Sequence, residues 1–254
     1  VDPGETITNS NITLSWDVSP RQGNCYYELQ QLLIPEGIVN FSDGAESGGS
    51  DWEYLGFWVP STNYSHNETY SYKGHIYEDG SWYYPGAMTL VKNLKITPTT
   101  TISYYWGTRY GQNIELRLEI STDGVNWQTL EAHIDSTVPL TWYHESLTTN
   151  ELLDYVDQQV QLRFAVDYLG GSVYIGSSVG FYVDDIMLDN ISLGNWETVD
   201  DQIMSTSRMI EVPQNGDYSF RVRANCSSWH KWSDVETVHV SGLPNYVYIP
   251  LINR

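Results

Sequence analysis

Short stretches in which apolar and polar residues alternate recur along almost the whole chain. Ile12, Leu14 and Trp16 fall on one face of residues 11–19, the two-residue period of a half-buried β-strand. The same kind of pattern predicts strands at residues 25–34, 89–96, 101–110, 114–121, 160–168, 180–188, 207–213, 218–224 and 235–241. The intervening segments are rich in Asp, Gly, Asn and Pro, which favour hairpins and loops. Residues 148–156 predict a short helix. Together these patterns indicate an all-β fold of the β-sandwich or jelly-roll type.

Charge and length narrow the class of protein. The 254 residues include 32 acidic and 12 basic ones, for a formal net charge of -20. Nucleic-acid binding through phosphate contacts needs Lys and Arg, so we exclude a nucleic-acid partner. No stretch approaches the roughly 18 apolar residues of a membrane-spanning helix, so no span is predicted. The chain is rich in Tyr and Trp, which favours a folded β protein over a disordered one.

Several features favour an extracellular chain, secreted or attached to the cell surface. Six Asn-x-Ser/Thr sequons are candidate glycosylation sites, at Asn11, Asn40, Asn63, Asn67, Asn190 and Asn225. The acidity and the scarcity of Lys agree with that location. The chain begins at Val1 without Met, which suggests a piece of a longer protein.

The two ends of the chain resemble a fibronectin type III domain. The stretches that carry this resemblance are ITLSWDV (12–18), CYYELQ (25–30) and GDYSFRVRANCSSWHKWSDVETVHV (216–240). Trp16 stands where such domains place the core tryptophan. Tyr218 stands where they place the corner tyrosine, whose hydroxyl reaches back to the backbone. The resemblance implies one split sandwich formed by residues 1–37 and 196–243.

The two cysteines fit such a split domain. Cys25 would open the third strand and Cys226 would close the sixth. Those strands are antiparallel neighbours in the fibronectin type III fold, so the resemblance implies a disulfide between them. Zinc is not expected, because no second Cys or His lies at ligand spacing from either cysteine.

The middle of the chain, residues 38–195, resembles the jelly-roll module related to MAM domains and found beside immune inhibitor A-type metalloproteases. Four stretches carry this resemblance, in the order of that family: AESGGSDWEYLGFW (45–58), ISYYWGTRYGQNIELRLEISTDGVNWQTL (102–130), YVDQQVQLRFAVDY (155–168) and VGFYVDDIML (179–188). A polar, Tyr-rich segment at residues 61–80 departs from the family pattern and has no assigned place in it.

Modules of this type commonly hold a structural calcium ion between acids of the first and closing strands. The resemblance assigns that role to Glu46, Asp184 and Asp185, with Asp43 as a further candidate. Ca²⁺ takes six to eight oxygen ligands, which clustered carboxylates can supply. Alternation along a strand puts adjacent residues on opposite faces, so we expect only one of Asp184 and Asp185 to face the ion directly. The alternative is that these acids simply face solvent on an edge strand.

Catalysis is not expected. The chain has no G-x-S-x-G, H-E-x-x-H or phosphate-loop motif, and its six His are scattered without ligand spacing. Adjacent acids on one strand point apart, so Asp184 and Asp185 do not form the carboxylate pair of a glycosidase. Glu46 with Asp184 could form one, but no glycosidase signature surrounds either residue.

Aromatic residues outside the predicted strands offer a candidate ligand surface. A sugar-stacking platform could be formed by Tyr64, Tyr72, Trp82, Tyr83 and Tyr84. The alternative is that these aromatics pack in the core and its loops.

These observations predict a non-catalytic, calcium-stabilised accessory module of a larger secreted or cell-surface protein. Its expected partners are a glycan or a protein surface and the neighbouring domains of that larger chain. The alternative is a structural or assembly subunit of a cell-surface layer or filament. The apolar tail, residues 244–254, could then act as a docking strand.

Overall fold

A computed structural model describes most of the chain. The described residues are 6–8, 10–17, 25–35, 37–75, 77–79, 82–84, 86–134, 140–172, 179–226, 232–233 and 235–243, with backbone alone at 6–7, 77–79 and 82–84. The predicted docking tail, residues 244–254, lies outside this part of the chain.

The described chain is built almost entirely of strands. The first ten are β1 (Thr6–Ile7), β2 (Asn11–Ser15), β3 (Tyr26–Pro35), β4 (Val39–Asp43), β5 (Trp52–Leu55), β6 (Phe57–Ser61), β7 (Ser71–His75), β8 (Tyr77–Asp79), β9 (Trp82–Tyr84) and β10 (Gly86–Leu90). The others are β11 (Asn93–Arg109), β12 (Ile114–Ser121), β13 (Gln128–His133), β14 (Trp142–Leu147), β15 (Gln159–Tyr168), β16 (Gly180–Gly194), β17 (Trp196–Ile203), β18 (Ser207–Glu211), β19 (Gly216–Asn225) and β20 (Glu236–Val240). A helical turn α1 (Thr149–Leu152) continues into a 3₁₀ turn at Leu153–Tyr155.

The chain divides into two compact units. One is formed by residues 1–37 and 194–254, here called the terminal unit, and the other by residues 38–193, here called the central unit.

The terminal unit contains a five-stranded sheet and a two-stranded sheet. The strand order of the larger sheet is β1-β20-β19-β3-β17, and β2 pairs with β18 in the smaller one. Ile12 and Ile210 from the smaller sheet share one hydrophobic core with Leu29 and Phe220 from the larger one. Apolar positions at every second residue therefore face inward from both sheets, as the period of two requires.

Two expectations for the terminal unit are confirmed. The predicted disulfide between Cys25 and Cys226 is present and joins residues 201 positions apart. The hydroxyl of Tyr218 donates a hydrogen bond to the backbone oxygen of Gln214, at 3.0 Å. The wider resemblance to fibronectin type III domains stays a prediction.

A ladder of Trp and Arg side chains lies on the larger sheet of the terminal unit. The Arg221 guanidinium lies 4.1 Å from the ring centroid of Trp196 and 4.5 Å from that of Trp232. Arg223 lies 4.3 Å from the same Trp232 ring and pairs with the buried carboxylate of Glu28. Stacking of this kind stabilises cations over aromatic faces.

The central unit is a sandwich of two sheets. One has the order β13-β12-β15-β10-β5, and the other has the order β14-β11-β16-β7-β6 with β4 also paired to β16. The long strand β11 links them, because its start pairs with β15 while its later part pairs with β14. The core lies between the sheets, where Phe164 meets Tyr104 edge to face at 5.0 Å and Trp52 meets Tyr72 at 5.9 Å.

The predicted all-β, sandwich-type fold class is confirmed, and so is the short helix near residue 150. The single strand predicted at residues 89–96 is wrong, because the chain bends at Val91 and Lys92 between β10 and β11. The resemblance of the central unit to MAM-like modules stays a prediction. Among the described residues, no helix is long and apolar enough to cross a membrane.

Candidate functional site

The closing strand β16 changes its neighbour at the two adjacent acids. Residues up to Val183 pair with β7, whereas pairing from Ile186 onward is with β4. Asp185, at this change of partner, has a φ of 47°, which places it in the left-handed region. Non-glycine residues rarely adopt this conformation, and Asp is among those that tolerate it best.

This turn of the backbone brings both carboxylates to one side. Asp184 Oδ2 accepts a hydrogen bond from the backbone N–H of His66, at 2.8 Å. Asp185 Oδ2 lies 2.7 Å from Nδ1 of His66 and accepts from the side-chain amide of Asn67, at 2.6 Å. The expectation that alternation points the two acids to opposite faces is wrong, because the left-handed residue breaks the alternation.

Asp184 is fully buried, although it is an acid in the middle of a strand. Its carboxylate accepts the backbone N–H groups of His66 and of its own neighbour Asp185. Burial raises the pKa of Asp184 to about 6, and these backbone hydrogen bonds oppose the rise. The charge is therefore compensated by N–H dipoles within the chain.

Asp43 is committed to the core of the central unit. Its Oδ2 accepts hydrogen bonds from the Trp52 indole and the Tyr72 hydroxyl, both at 2.7 Å, and its Oδ1 accepts from the backbone of Ala45. Three donors thus occupy both oxygens of a side chain that is only 7% exposed. The proximity of the carboxylate adds to burial in raising the pKa of Tyr72.

Glu46 anchors the segment between β6 and β7. Its Oε1 accepts hydrogen bonds from the backbone N–H groups of Thr69 and Tyr70, at 2.8 and 2.6 Å. Residues 62–70, here called the strap, are therefore held by Glu46 at one end and by Asp184 and Asp185 near the middle. The strap lies within the polar segment that the sequence pattern could not place.

A surface pocket of about 420 Å³ lies beside the strap. It is lined by Ser42, Asp43, Gly44, Glu46, Asn67, Glu68, Tyr105, Asp185, Ile186 and Met187. None of these described lining residues is Lys or Arg. The pocket wall thus combines carboxylate and amide groups with one aromatic ring and the partly exposed side chain of Met187.

Aromatic side chains on the outer face of the same sheet surround the strap. The ring of His66 stacks on that of Tyr105, with centroids 3.6 Å apart and planes within 14°. Trp142 meets His66 edge to face at 5.7 Å, and His144 lies 4.7 Å from Tyr105. Cross-strand register explains this cluster, since Tyr105 pairs with His144 and Gly107 with Trp142.

In the sequence, His66 has no metal-ligand spacing to other His residues, and no motif indicated Tyr105 or Trp142 as site residues. Because side chains alternate along a strand, Tyr105 lies on the face opposite to that of the buried Tyr104 and Trp106. That alternation was the one available signal, whereas the contact with His66 depends on the path of the strap.

Two of the predicted calcium ligands keep a carboxylate oxygen free for an ion. Glu46 Oε2 and Asp185 Oδ1 have no hydrogen-bond donor among the described residues, and both side chains line the pocket. Their chemistry suits Ca²⁺, which prefers oxygen. Within the described residues, however, no group of three or more His, Cys, Asp and Glu side chains is placed to hold a metal. A calcium ion here would therefore need backbone carbonyls and water for most of its ligands.

The aromatic residues of the predicted sugar-stacking platform differ in their exposure. Tyr72 is fully buried, because its side chain points into the core and its hydroxyl donates to Asp43. Its ring is therefore not available to a ligand, and its predicted role is wrong. Tyr64 is half-buried, edge to face with Tyr182 at 5.2 Å. Trp82, Tyr83 and Tyr84 form strand β9, but their side chains lie outside the described part of the structure.

The sequon residues Asn67 and Asn190 use their amide nitrogen within the fold. Asn67 donates to Asp185, and Asn190 donates to the backbone oxygen of Thr99, at 3.1 Å. A glycan on either nitrogen would replace one of its two N–H groups and so compete with that hydrogen bond. Asn11, Asn40 and Asn63 are exposed and Asn225 is half-buried, and their glycosylation stays a prediction.

No protein-family model and no curated protein matches the chain. Among solved structures, it is similar to the K3 cleaved adhesin domain of Lys-gingipain from Porphyromonas gingivalis, with 12% identity, a TM-score of 0.43, and 61% of this chain and 100% of that one covered. It is also similar to TmCBM61, solved with β-1,4-galactotriose, with 12% identity, a TM-score of 0.41, and 58% and 94% covered. A third is the CBM22-2 xylan-binding domain from Paenibacillus barcinonensis, with 16% identity, a TM-score of 0.39, and 59% and 98% covered. These values are too low for the functions of those proteins to be carried over to this chain.

Proposed function

We propose that this chain is a non-catalytic extracellular binding module whose ligand is a glycan. The observation that carries the proposal is the pocket of about 420 Å³ in which Tyr105 lies beside Asp185, Glu46 and Asn67. Its volume lies within the range of about 300–1,000 Å³ that is usual for small-ligand sites.

The chemistry of the pocket matches that of a sugar. Carboxylates accept hydrogen bonds from hydroxyl groups, and the Asn67 amide offers both a donor and an acceptor. An aromatic ring supplies the flat apolar surface on which the C–H face of a pyranose can pack. Tyr105 and Met187 supply the apolar part of this wall, and Asp185, Glu46 and Asn67 supply the polar part.

The environment of Asp184 supports a binding role over a catalytic one. A carboxyl with a raised pKa is what a general acid requires. The Asp184 carboxyl, however, is fully buried and is bonded to the backbone of His66 and Asp185. It therefore cannot reach a substrate in the pocket.

The disulfide supports an extracellular location. Cys25 and Cys226 are bonded, and stable disulfides belong mainly to oxidising compartments. The strongly acidic composition agrees with a module outside the cell. We also propose, as the sequence resemblance predicts, that the chain is part of a larger secreted or cell-surface protein.

Calcium forms a separate part of the proposal. The unbonded oxygens of Glu46 and Asp185 provide two carboxylate ligands in a pocket whose described lining carries no Lys or Arg. A site with so few side-chain ligands would bind weakly, in the range of about 10⁻⁴–10⁻³ M that is typical of extracellular modules. The ion would stabilise the strap, which both carboxylates already hold.

Glycan binding is tested on an immobilised panel of neutral and acidic polysaccharides, in calcium and in chelator, followed by calorimetry on any ligand found. We expect binding that saturates and that Tyr105→Ala reduces at least 10-fold. Trp127→Ala is the matched control, since Trp127 stacks on Arg163 in the other sheet of the central unit. A blank panel from well-folded protein would overturn the proposal and favour the structural or assembly role. An equal loss in both variants would show that the pocket is not the site.

A further inference from the structure

We propose that the face of Tyr105 and the carboxylate of Asp185 form a subsite for one neutral pyranose ring, and that His66 fills this subsite when no sugar is bound. The inference rests on the proposed glycan binding. It adds the position of one sugar ring, the charge class of that sugar, and the His66 imidazole as a group that competes with it for the subsite.

The contacts of His66 are those that a bound sugar would make. Its ring lies flat on Tyr105, with centroids 3.6 Å apart, and its Nδ1 lies 2.7 Å from Asp185 Oδ2. The edge of the ring is flanked by Trp142. A pyranose also has a flat apolar face and carries hydroxyl donors around its rim. The same surface can therefore stack on its C–H face and accept from one of its hydroxyls.

The subsite is continuous with the pocket. Tyr105 and Asp185 both line the pocket and both contact His66, so the imidazole lies at the pocket edge. Removal of the imidazole would extend the pocket along the Tyr105 ring. A sugar chain could then place one ring on Tyr105 and the next beside Asn67 and Glu46.

The imidazole can leave while the strap stays in place. The backbone N–H of His66 is bonded to Asp184, and those of Thr69 and Tyr70 are bonded to Glu46. None of these bonds involves the imidazole, and the side chain of His66 is 25% exposed. Rotation about the side-chain bonds of His66 would therefore uncover Tyr105 without moving the backbone of the strap.

The charge of the surroundings selects the class of sugar. Asp185, Glu46 and Glu68 line the pocket, and no described lining residue is cationic. Without bound calcium, a uronic acid or a sulfated sugar would meet like charges that no described lining residue compensates. A neutral sugar keeps its hydroxyl donors and avoids this repulsion.

The test compares the affinities of the wild type, His66→Ala, Tyr105→Ala and the double variant for cellohexaose, xylohexaose, mannohexaose and hexagalacturonic acid. We expect His66→Ala to bind a neutral hexasaccharide about 10-fold more tightly, the equivalent of about 1.4 kcal/mol. Tyr105→Ala should abolish binding in both backgrounds. His239→Ala is the matched control, because His239 contacts Asp217 at the same 2.7 Å but belongs to the terminal unit.

The outcomes separate this inference from the proposed function. Wild-type binding that His66→Ala leaves unchanged or weakens would overturn the subsite and leave glycan binding intact. Absence of binding in every variant, with native circular dichroism and melting, would overturn both. Tighter binding of hexagalacturonic acid than of the neutral sugars in excess chelator would overturn the charge class. The imidazole resonances of His66 in NMR give an independent readout, since the ring-current shift from Tyr105 should disappear when the sugar binds.

Discussion

Asp184 and Asp185 are adjacent in one strand, yet both carboxylates face the residue His66. Asp184 accepts a hydrogen bond from the backbone N–H of His66 at 2.8 Å, and Asp185 lies 2.7 Å from the ring nitrogen Nδ1 of His66. This is possible because Asp185 adopts a φ of 47° where β16 exchanges β7 for β4. The left-handed residue thus determines which side chains hold the strap.

The conformation of Asp185 predicts an unusual order of stabilities. Asp185→Ala should be the most destabilised variant, because it loses the bonds to His66 and Asn67 and keeps an unfavourable left-handed Cβ. Asp185→Gly loses the same bonds without that strain, so it should be more stable than the Ala variant by about 1 kcal/mol. Urea unfolding measures both, and equal values for the two would contradict a left-handed Asp185.

The buried carboxylate of Asp43 predicts a large loss on a conservative change. In Asp43→Asn, the amide NH₂ would face an N–H or O–H donor, since Trp52, Tyr72 and Ala45 all donate to this side chain. We expect a loss of about 2–4 kcal/mol in the free energy of unfolding. Tyr72→Phe, which removes one donor and keeps the ring, should cost about 1 kcal/mol. A smaller effect for Asp43→Asn than for Tyr72→Phe would disprove this account.

His133 predicts a dependence of stability on pH. It is buried, its Nε2 lies 2.8 Å from the Tyr104 hydroxyl, it stacks on Trp106, and Glu145 faces it at 4.0 Å. Burial lowers the pKa of His133, although Glu145 opposes the change. The unfolded chain therefore binds this proton more readily than the folded one, and the contribution of neutral His133 is complete above a pH of about 6.5 and lost as the pH falls below it.

Unfolding free energies measured between pH 7.5 and 5 test this dependence. We expect the loss of stability on acidification to be smaller in His133→Gln than in the wild type, because the variant has no imidazole to protonate. Parallel pH profiles for the two proteins would show that His133 is not responsible.

The ladder on the terminal unit predicts unequal contributions from its two Trp residues. Trp232 stacks on both Arg221 and Arg223, whereas the one Arg on which Trp196 stacks within the described residues is Arg221. Each contact is worth about 0.5–1 kcal/mol at an exposed site. Trp232→Ala should therefore lower the unfolding free energy of the terminal unit by about twice as much as Trp196→Ala. The opposite order, seen in denaturant titrations, would argue against the ladder as a stabilising unit.

Weak calcium binding predicts a modest rise in melting temperature. An ion that binds only the folded state stabilises it by about 1.4 kcal/mol at ten times its Kd. The melting temperature should rise by about 3–6 °C between excess chelator and 10 mM calcium, given the size of the central unit. Glu46→Gln with Asp185→Asn should remove this rise. Identical melting curves in chelator and calcium would refute calcium stabilisation.

The local sequence pattern was sufficient to predict some structural features of this protein. The alternation of residues such as Ile12, Leu14 and Trp16 requires strands, because only a period of two places them on one face. The disulfide between Cys25 and Cys226 also followed from the sequence, through the resemblance of the two ends to a single domain. Both depend on neighbours within one strand or on a pattern shared with known folds.

The candidate site was decided by contacts between distant segments. Tyr72 looked like a surface aromatic and is buried, because Asp43 and Trp52 surround it in the folded sheet. His66 and Tyr105 are separated by 39 positions in the chain and stack because the strap crosses the sheet. The sequence by itself determined the all-β class and the strand faces, which arise from the backbone period. Only the tertiary structure decided which carboxylates and rings meet, because that depends on strand partners and loop paths that no local pattern encodes.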